Sequence, residues 1–295
     1  MMFALFLGCK IPYYVPQYEM SLRAVSRILD LDLVHLEFNC CGYPVRHLDS
    51  RSFLFAAARN FALAEKEGLD IITPCKCCFG TLKKAEYYLK EQPGLRGEIN
   101  LRLKHEGLRY RGVVRIKHFL SVLFHDIGLD VIKKKIKNPY HKLNVAVHYG
   151  CHALRPSRVV QFDNPVSPTK FDKLVELTGA TSVPWALKLQ CCGNPLMDKN
   201  EKLARDLMAK KVADGLAAGA DYLCVACTYC QIQFDLGQAD MAAARTGHRT
   251  LPSILYPQLL GLSLGLSKDA LGLDQNRLGG GRLGEYLTQP IGARS

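Results

Sequence analysis

The sequence predicts an α/β protein made of two duplicated units. Each unit is a short parallel sheet flanked by helices, with cysteines at the carboxyl ends of the strands. Three observations predict this. Short apolar runs alternate with helical patterns along most of the 295 residues, the order that gives parallel sheets with right-handed crossovers. The alternation occurs twice. Ten of the twelve cysteines mark the same points in both copies.

The elements follow in order. Phe3-Ala-Leu-Phe-Leu-Gly-Cys9 is an apolar run closing on Gly-Cys, and Asn144-Val-Ala-Val-His-Tyr-Gly-Cys151 matches it; both read as buried strands. Leu31 to Glu37 and Ser182 to Trp185 read as strands that precede Cys40-Cys41-Gly42 and Cys191-Cys192-Gly193. Phe53 to Lys66 and Leu203 to Leu216 have the 3.6-residue apolar period of amphipathic helices. Gly68 and Gly219 then supply the expected stops. Ile71-Ile-Thr73 and Tyr222-Leu-Cys-Val225 are strands leading to Cys75-Lys-Cys-Cys78 and Cys227-Thr-Tyr-Cys230. From one set to the other the numbering shifts by 142, then 151 and 151, then 152 and 152. In parallel α/β sheets, ligands gather just beyond the carboxyl ends of the strands, where this reading puts every repeated cysteine.

The expected division is 1–100 for the first unit, 101–142 for a basic bridge, 143–266 for the second unit and 267–295 for a glycine-rich tail or partner-contact arm. Within the bridge, Gly112 to Lys117 suits a strand, and Phe119 to Lys135 has helical periodicity broken near Gly128.

Bulk properties narrow the function. A hydrophobic content of 48% supports a sizeable core. Phe3-Ala-Leu-Phe-Leu7 is too short for a secretory signal, and no run approaches the ~20 apolar residues of a bilayer span. A cytoplasmic location is therefore expected, where thiols stay reduced and grouped cysteines point to metal. The formal charge is +12, and 101–142 alone holds eleven Lys/Arg against Glu106, Asp126 and Asp130. These basic residues sit among apolar ones without a groove-reading motif, so nucleic acid is not the expected partner. A basic face for an acidic partner protein, steering of an anionic substrate, and a merely solvated face all suit the charge.

The cysteine pattern restricts the metal chemistry. Paired Cys-x-x-Cys motifs would suggest structural zinc. Here each set has one Cys-x-x-Cys, a distant single cysteine and a vicinal pair, giving five thiols where a tetrahedral ion takes four. Neighbouring side chains on extended backbone diverge and reach different metal atoms more readily than one. A polynuclear iron–sulfur cluster matches this best. Zinc and a metal-free vicinal disulfide stand as competing readings.

The twofold Cys-x(n)-Cys-Cys-Gly-x(n)-Cys-x-x-Cys arrangement resembles the cysteine-rich CCG domains, and above all the B subunit of heterodisulfide reductase. The resemblance extends to Phe6-Leu-Gly-Cys9, Val147-His-Tyr-Gly-Cys-His152, Cys230-Gln-Ile-Gln-Phe-Asp-Leu-Gly-Gln238 and Gln258-Leu-Leu-Gly-Leu-Ser-Leu-Gly265, covering about residues 1–275. It implies two noncubane [4Fe-4S] clusters, with a disulfide made or cleaved between them. Cys9, Cys40, Cys41, Cys75 and Cys78 would hold one cluster; Cys151, Cys191, Cys192, Cys227 and Cys230 would hold the other. It also implies flavin-containing and ferredoxin-like iron–sulfur subunits as partners, and a thiol, disulfide or carrier-bound sulfur as substrate. Cys9-Lys-Ile-Pro-Tyr-Tyr-Val-Pro-Gln-Tyr18 and the complete Cys40-Cys41-Gly42 look more like the branch from sulfur-oxidising bacteria. Two readings compete: an iron–sulfur subunit of a flavin-dependent glycolate or lactate oxidase, whose usual extra ferredoxin-type cysteine segment is missing here, and a non-catalytic metal scaffold.

Further residues are weighed individually. His148 and His152 flank Cys151 and are candidate proton donors to a leaving thiolate, against the commoner structural histidine. Lys76, Lys10 and Arg46 lie beside ligands and can attract anionic groups of a substrate, or simply keep the loops wet. Cys77 and Cys224 fall outside the scheme; Cys77, inside the first Cys-x-x-Cys, reads as a spectator thiol with an alternate ligand role as the competing reading, and Cys224 reads as core packing. Gly279-Gly-Gly-Arg-Leu-Gly284 matches G-x-G-x-x-G but follows no strand, so it is not read as a nucleotide site. A redox partner is accordingly expected.

Overall fold

A computed structural model describes residues 1–244 and 249–288. It contains two four-stranded, wholly parallel sheets of identical topology. The first has the order β2-β1-β3-β4, formed by β1 (Met2–Leu5), β2 (Asp32–Val34), β3 (Ile71–Thr73) and β4 (Ile116–His118). The second has the order β6-β5-β7-β8, from β5 (Asn144–Val147), β6 (Thr181–Ser182), β7 (Tyr222–Val225) and β8 (Ser253–Leu255). Helices Ser50–Lys66 and Glu201–Ala217 occupy equivalent crossovers, capped by the side chains of Asp49 and Asn200. The central strands read as continuous apolar runs because both faces are covered.

The strands are shorter than the apolar runs suggest. β1 and β5 end four residues before Cys9 and Cys151, and the chain leaves the sheet to carry each cysteine beyond its edge. β4 and β8 enlarge each sheet to four strands. β4 comes from the segment expected to bridge the units, and β8 from a stretch whose pattern does not announce a strand.

The bridge is folded onto the first sheet. The Glu65 carboxylate, 1% exposed, accepts backbone N–H bonds from Arg111 (2.6 Å), Gly112 (2.9 Å), Val113 (2.8 Å) and Val114 (3.3 Å). This delivers the chain to β4. The helical segment after β4 breaks at Gly128, as the sequence suggests.

Residues 267–288 lie against the second unit instead of extending as an arm. Leu271, Leu273 and Leu283 are fully buried. Asp235 accepts the backbone N–H groups of Arg277 (2.9 Å) and Leu278 (3.1 Å), and the Gln258 amide donates to Leu271 O (3.1 Å). Residues 289–295 of the expected tail lie outside the described residues.

The two units interlock. Helix Tyr256–Ser263 packs on helix Pro16–Ile28, and helix Lys76–Glu91 packs on the short helix Ser157–Val160. The Lys76 N–H donates to Ala226 O across the junction (3.3 Å). No helix among the described residues is long and apolar enough to cross a membrane.

Candidate metal centre

Each sheet sends three loops past the carboxyl ends of its strands, and the two loop sets meet. All twelve cysteines are free thiols. Cys9 Sγ lies 3.9 Å from Cys40 Sγ, and the Cys78 thiol interacts with those of Cys41 and Cys75. The second set repeats this through Cys151–Cys191, Cys192–Cys230 and Cys227–Cys230. The sets touch at one point, where Cys75 Sγ and Cys227 Sγ are 3.9 Å apart. The fold thus gathers the ten cysteines singled out by spacing into two groups of five. Cys77 is buried on the wall of the first recess, and Cys224 is a fully buried member of β7.

The Cys-Cys-Gly turns depend on their glycines. Gly193 has φ +89°, and a Cβ there would lie 2.5 Å from the Ala204 carbonyl oxygen; at Gly42 (φ +84°) it would lie 2.9 Å from that of Phe53. Each turn is thus pressed against the first coils of its crossover helix. A left-handed alanine costs about 1–2 kcal/mol before any clash. We expect Gly193→Ala to lose about 3 kcal/mol in anaerobic thermal unfolding, because the obstructing atom is backbone and cannot swing away. A loss below ~1 kcal/mol would mean that the turn shifts freely.

The thiols surround two recesses, each leaving about 310 Å³ free of protein atoms, counted to its open mouth. The first is lined by Cys9, Cys40, Cys41, Cys75 and Cys78, and also by Thr228 and Tyr229 from the opposite unit. The second is lined by Cys151, Cys192, Cys227 and Cys230, with Cys191 interacting with Cys151 and Cys192, and by Lys76 from the opposite unit. Each Cys-x-x-Cys turn thus furnishes ligand-type thiols to its own recess and a wall to the other. The sequence pattern alone does not reveal this exchange. Tyr229 lines both recesses and packs on Tyr43 with ring centroids 5.4 Å apart. Lys10 sits over Tyr229 (5.1 Å) and Arg46 over Tyr43 (3.9 Å), making a half-buried, positively charged rim.

Crowding governs the titration of these groups. Thiol and backbone N–H bonds hold the Cys40 and Cys191 thiols well below their usual range, while the partner thiols Cys9 and Cys151 are driven up. Five thiols without a cation cannot all ionise; a multiply charged metal group would take them all as thiolates. Among the described residues, no three Cys, His, Asp or Glu side chains close on a single ion. The close backbone approach at Gly8, where a Cβ would meet Cys78 Sγ at 2.9 Å, keeps the first recess open. A soft, all-thiol donor set around a cavity fits an iron–sulfur group.

The other candidates are placed as follows. Lys76 is 2% exposed, donates to His148 O (3.0 Å), stands 4.2 Å over the Phe171 ring, and is lowered to about 8 by burial. Lys211, unremarkable in the sequence, is 1% exposed, donates to Leu187 O and stands 4.6 Å over Trp185. His148 is buried between Trp185 and Phe234, with both ring nitrogens lacking partners, and burial pushes its pKa well down. His152 lines the second recess edge-on to Tyr43 and is lowered to about 4, chiefly by burial and then by Arg46. Both imidazoles are therefore neutral near pH 7 and hold no spare acidic proton as cations.

The family model for the CCG cysteine-rich domain matches this chain twice, over residues 3–83 and 145–235. The chain is 35% identical over 280 residues to the B subunit of the Ferredoxin/F(420)H(2)-dependent CoB-CoM heterodisulfide reductase of Methanosarcina acetivorans, covering 93% of each. This protein belongs to the family of heterodisulfide reductase B subunits, the twin CCG proteins. Within that family, a protein of Archaeoglobus profundus described as like the heterodisulfide reductase B subunit is 30% identical over 279 residues, 90% of this chain and 92% of its own. The twin CCG layout also reaches other complexes. The 8-methylmenaquinol:fumarate reductase membrane anchor subunit of Wolinella succinogenes is 32% identical over 96% of this chain and 99% of its own. A crystal structure of a hypothetical protein from Helicobacter pylori shares the fold, with TM-score 0.75 and 19% identity over 94% of this chain and 51% of that one.

Proposed function

We propose that this protein is the iron–sulfur catalytic subunit of a cytoplasmic heterodisulfide-reductase-like complex. Its ten paired cysteines hold two noncubane [4Fe-4S] clusters, and a sulfur–sulfur bond is made or cleaved in the space between them. The observation that carries this reading is the meeting of the two five-thiol sets at Cys75 and Cys227, 3.9 Å apart. When bound, the clusters would supply one electron each to the two sulfur atoms of a split disulfide. The protein's own residues set the surroundings. Tyr43 and Tyr229 wall the recesses and keep water from reacting sulfur, while Lys10 and Arg46 orient an anionic thiol or carrier at the rim. Partner subunits carrying flavin and ferredoxin-like clusters deliver or remove the electrons, and sulfur oxidation is the physiological setting. The likeness to heterodisulfide reductase B subunits and the ordered donor set support this reading.

A second reading is electron relay without sulfur chemistry, and the Wolinella relative, named for quinol and fumarate, favours it. Anaerobic electron paramagnetic resonance with and without dithiodiglycolate, a small anionic disulfide, separates the two. We expect a signal that appears or shifts only with the disulfide or its thiol. An unchanged spectrum on iron-loaded protein selects relay, and one or two zinc ions in place of about eight irons selects a scaffold.

A further inference from the structure

The two recesses are built alike, yet their buried charge differs. The numbering shift between equivalent turns makes Lys76 the counterpart of Thr228, since each follows the first cysteine of its Cys-x-x-Cys. Both face across the junction, so Lys76 lines the second recess and Thr228 the first. The crossover helices Ser50–Lys66 and Glu201–Ala217 are related by the same shift of 151 as the Cys-Cys-Gly turns, with Phe53 and Ala204 as the matched contacts of Gly42 and Gly193. That shift makes Lys211 the counterpart of Asn60. Asn60 is fully buried, neutral, and donates to the Cys40 carbonyl at 3.3 Å. Two buried ammonium groups thus belong to positions whose counterparts carry a hydroxyl and an amide.

Lys76 lines the second recess with its ammonium on His148 O, and Lys211 stands over Trp185, the ring that packs on His148. The thiols that interact most strongly with the Lys76 charge include Cys230 and Cys227, and those for Lys211 are Cys230, Cys192 and Cys191. Nearby carboxylates only partly offset them. Asp172 is already engaged by Lys188 at 2.7 Å and by Tyr149 and Ser182 hydroxyls, and Asp214 is tied to the Leu187 N–H. The Lys10 ammonium at the first recess and the Arg46 guanidinium, which stands over Tyr43 between the two recesses, are half-buried at the rim, where water screens them. A charge sealed from water acts far more strongly than one at the rim.

Resting on the iron–sulfur reading above, we infer that Lys76 and Lys211 hold the centre bound by Cys151, Cys191, Cys192, Cys227 and Cys230 at a higher reduction potential than its twin. Adding an electron makes a centre more negative, and a fixed buried cation favours that state. The twin sites are therefore unequal, and the first electron from an external one-electron donor resides at the second set.

The test is a mediated anaerobic redox titration of the intact iron-loaded chain at pH 7, followed by electron paramagnetic resonance. A Cys192→Ala variant, which retains the first set, assigns the signals. Two separate midpoints are expected, the higher belonging to the second set. Lys76→Thr and Lys211→Asn, which copy the first recess, should each lower the reduction equilibrium constant of the second centre about tenfold, 59 mV for one electron. The first centre should move much less. Lys211→Arg, which keeps the charge, should leave the midpoint near its original value; an equal shift there would assign the effect to packing and overturn the inference. Coincident midpoints, a higher first centre, or variants that move both centres alike would also overturn it. Absence of iron from the unsubstituted protein would instead overturn the reading on which it rests.

Discussion

Cys192→Ala, prepared without oxygen, is expected to carry about half the iron and acid-labile sulfide of the unsubstituted chain, about four irons in place of about eight. Cys192 is buried, and its thiol faces Cys191 and Cys230 of its own set. Cys192 lies outside the first recess, and the thiols of the two sets meet at Cys75 and Cys227, so the first recess keeps all five of its own thiols. A missing thiolate is not replaced by another sulfur, because the remaining wall offers Lys76, His152 and aromatic groups. Cys41→Ala combined with Cys77→Ser, which removes the spare thiol on that wall, should produce the complementary half-loaded protein. Cys224→Ala serves as the control; it removes a thiol from β7 that faces core, and the iron content should not change. Full iron retention in Cys192→Ala would remove that residue from the ligand set. Complete loss of iron would mean that the two recesses load as one.

Glu65→Ala should cost about 4 kcal/mol in anaerobic chemical denaturation. The carboxylate accepts four backbone N–H groups in a row, from Arg111 to Val114, and no water replaces it at 1% exposure. Each orphaned buried donor costs about 1–3 kcal/mol, offset in part by release of the desolvated carboxylate. The damage should be local to β4, which those four residues deliver to the edge of the first sheet. Amide exchange at Ile116 to His118 should therefore accelerate ahead of exchange in β1 and β3. Glu65→Gln keeps one acceptor oxygen and should lose roughly half as much. A loss below ~1 kcal/mol for the alanine variant would show that the loop finds other partners.

The cysteine spacing picked out the thiols that line the two recesses, because each recess draws them from fixed points at the ends of equivalent strands. Strands β3 and β7 were legible over their full length, since both are buried runs bounded by a glycine-marked helix end and a cysteine turn. β6 and β8 were harder. Two or three residues give no periodicity, and their identity as strands comes from pairing with β5 and β7. The segment 267–288 looked featureless because its buried Leu271, Leu273 and Leu283 sit in tight turns held by Asp235 and Gln258, and not on a regular helix. The crossing of Lys76 and Tyr229 into opposite recesses depends on how two sheets face one another, which no local pattern encodes. Lys211 was hidden for a related reason: a lysine on a helix reads as solvent-facing until the neighbouring layer is known.

The crossed walls bear on how such a chain arose. A single-copy ancestor would complete its cavity only by pairing with an identical partner, each lending its turn to the other. Symmetry would then force lysine at both places or at neither. Joining the copies into one polypeptide lifted that restriction, so Thr228 and Lys76, or Asn60 and Lys211, were free to diverge. Covalent fusion here does more than secure assembly; it permits left and right to become chemically different.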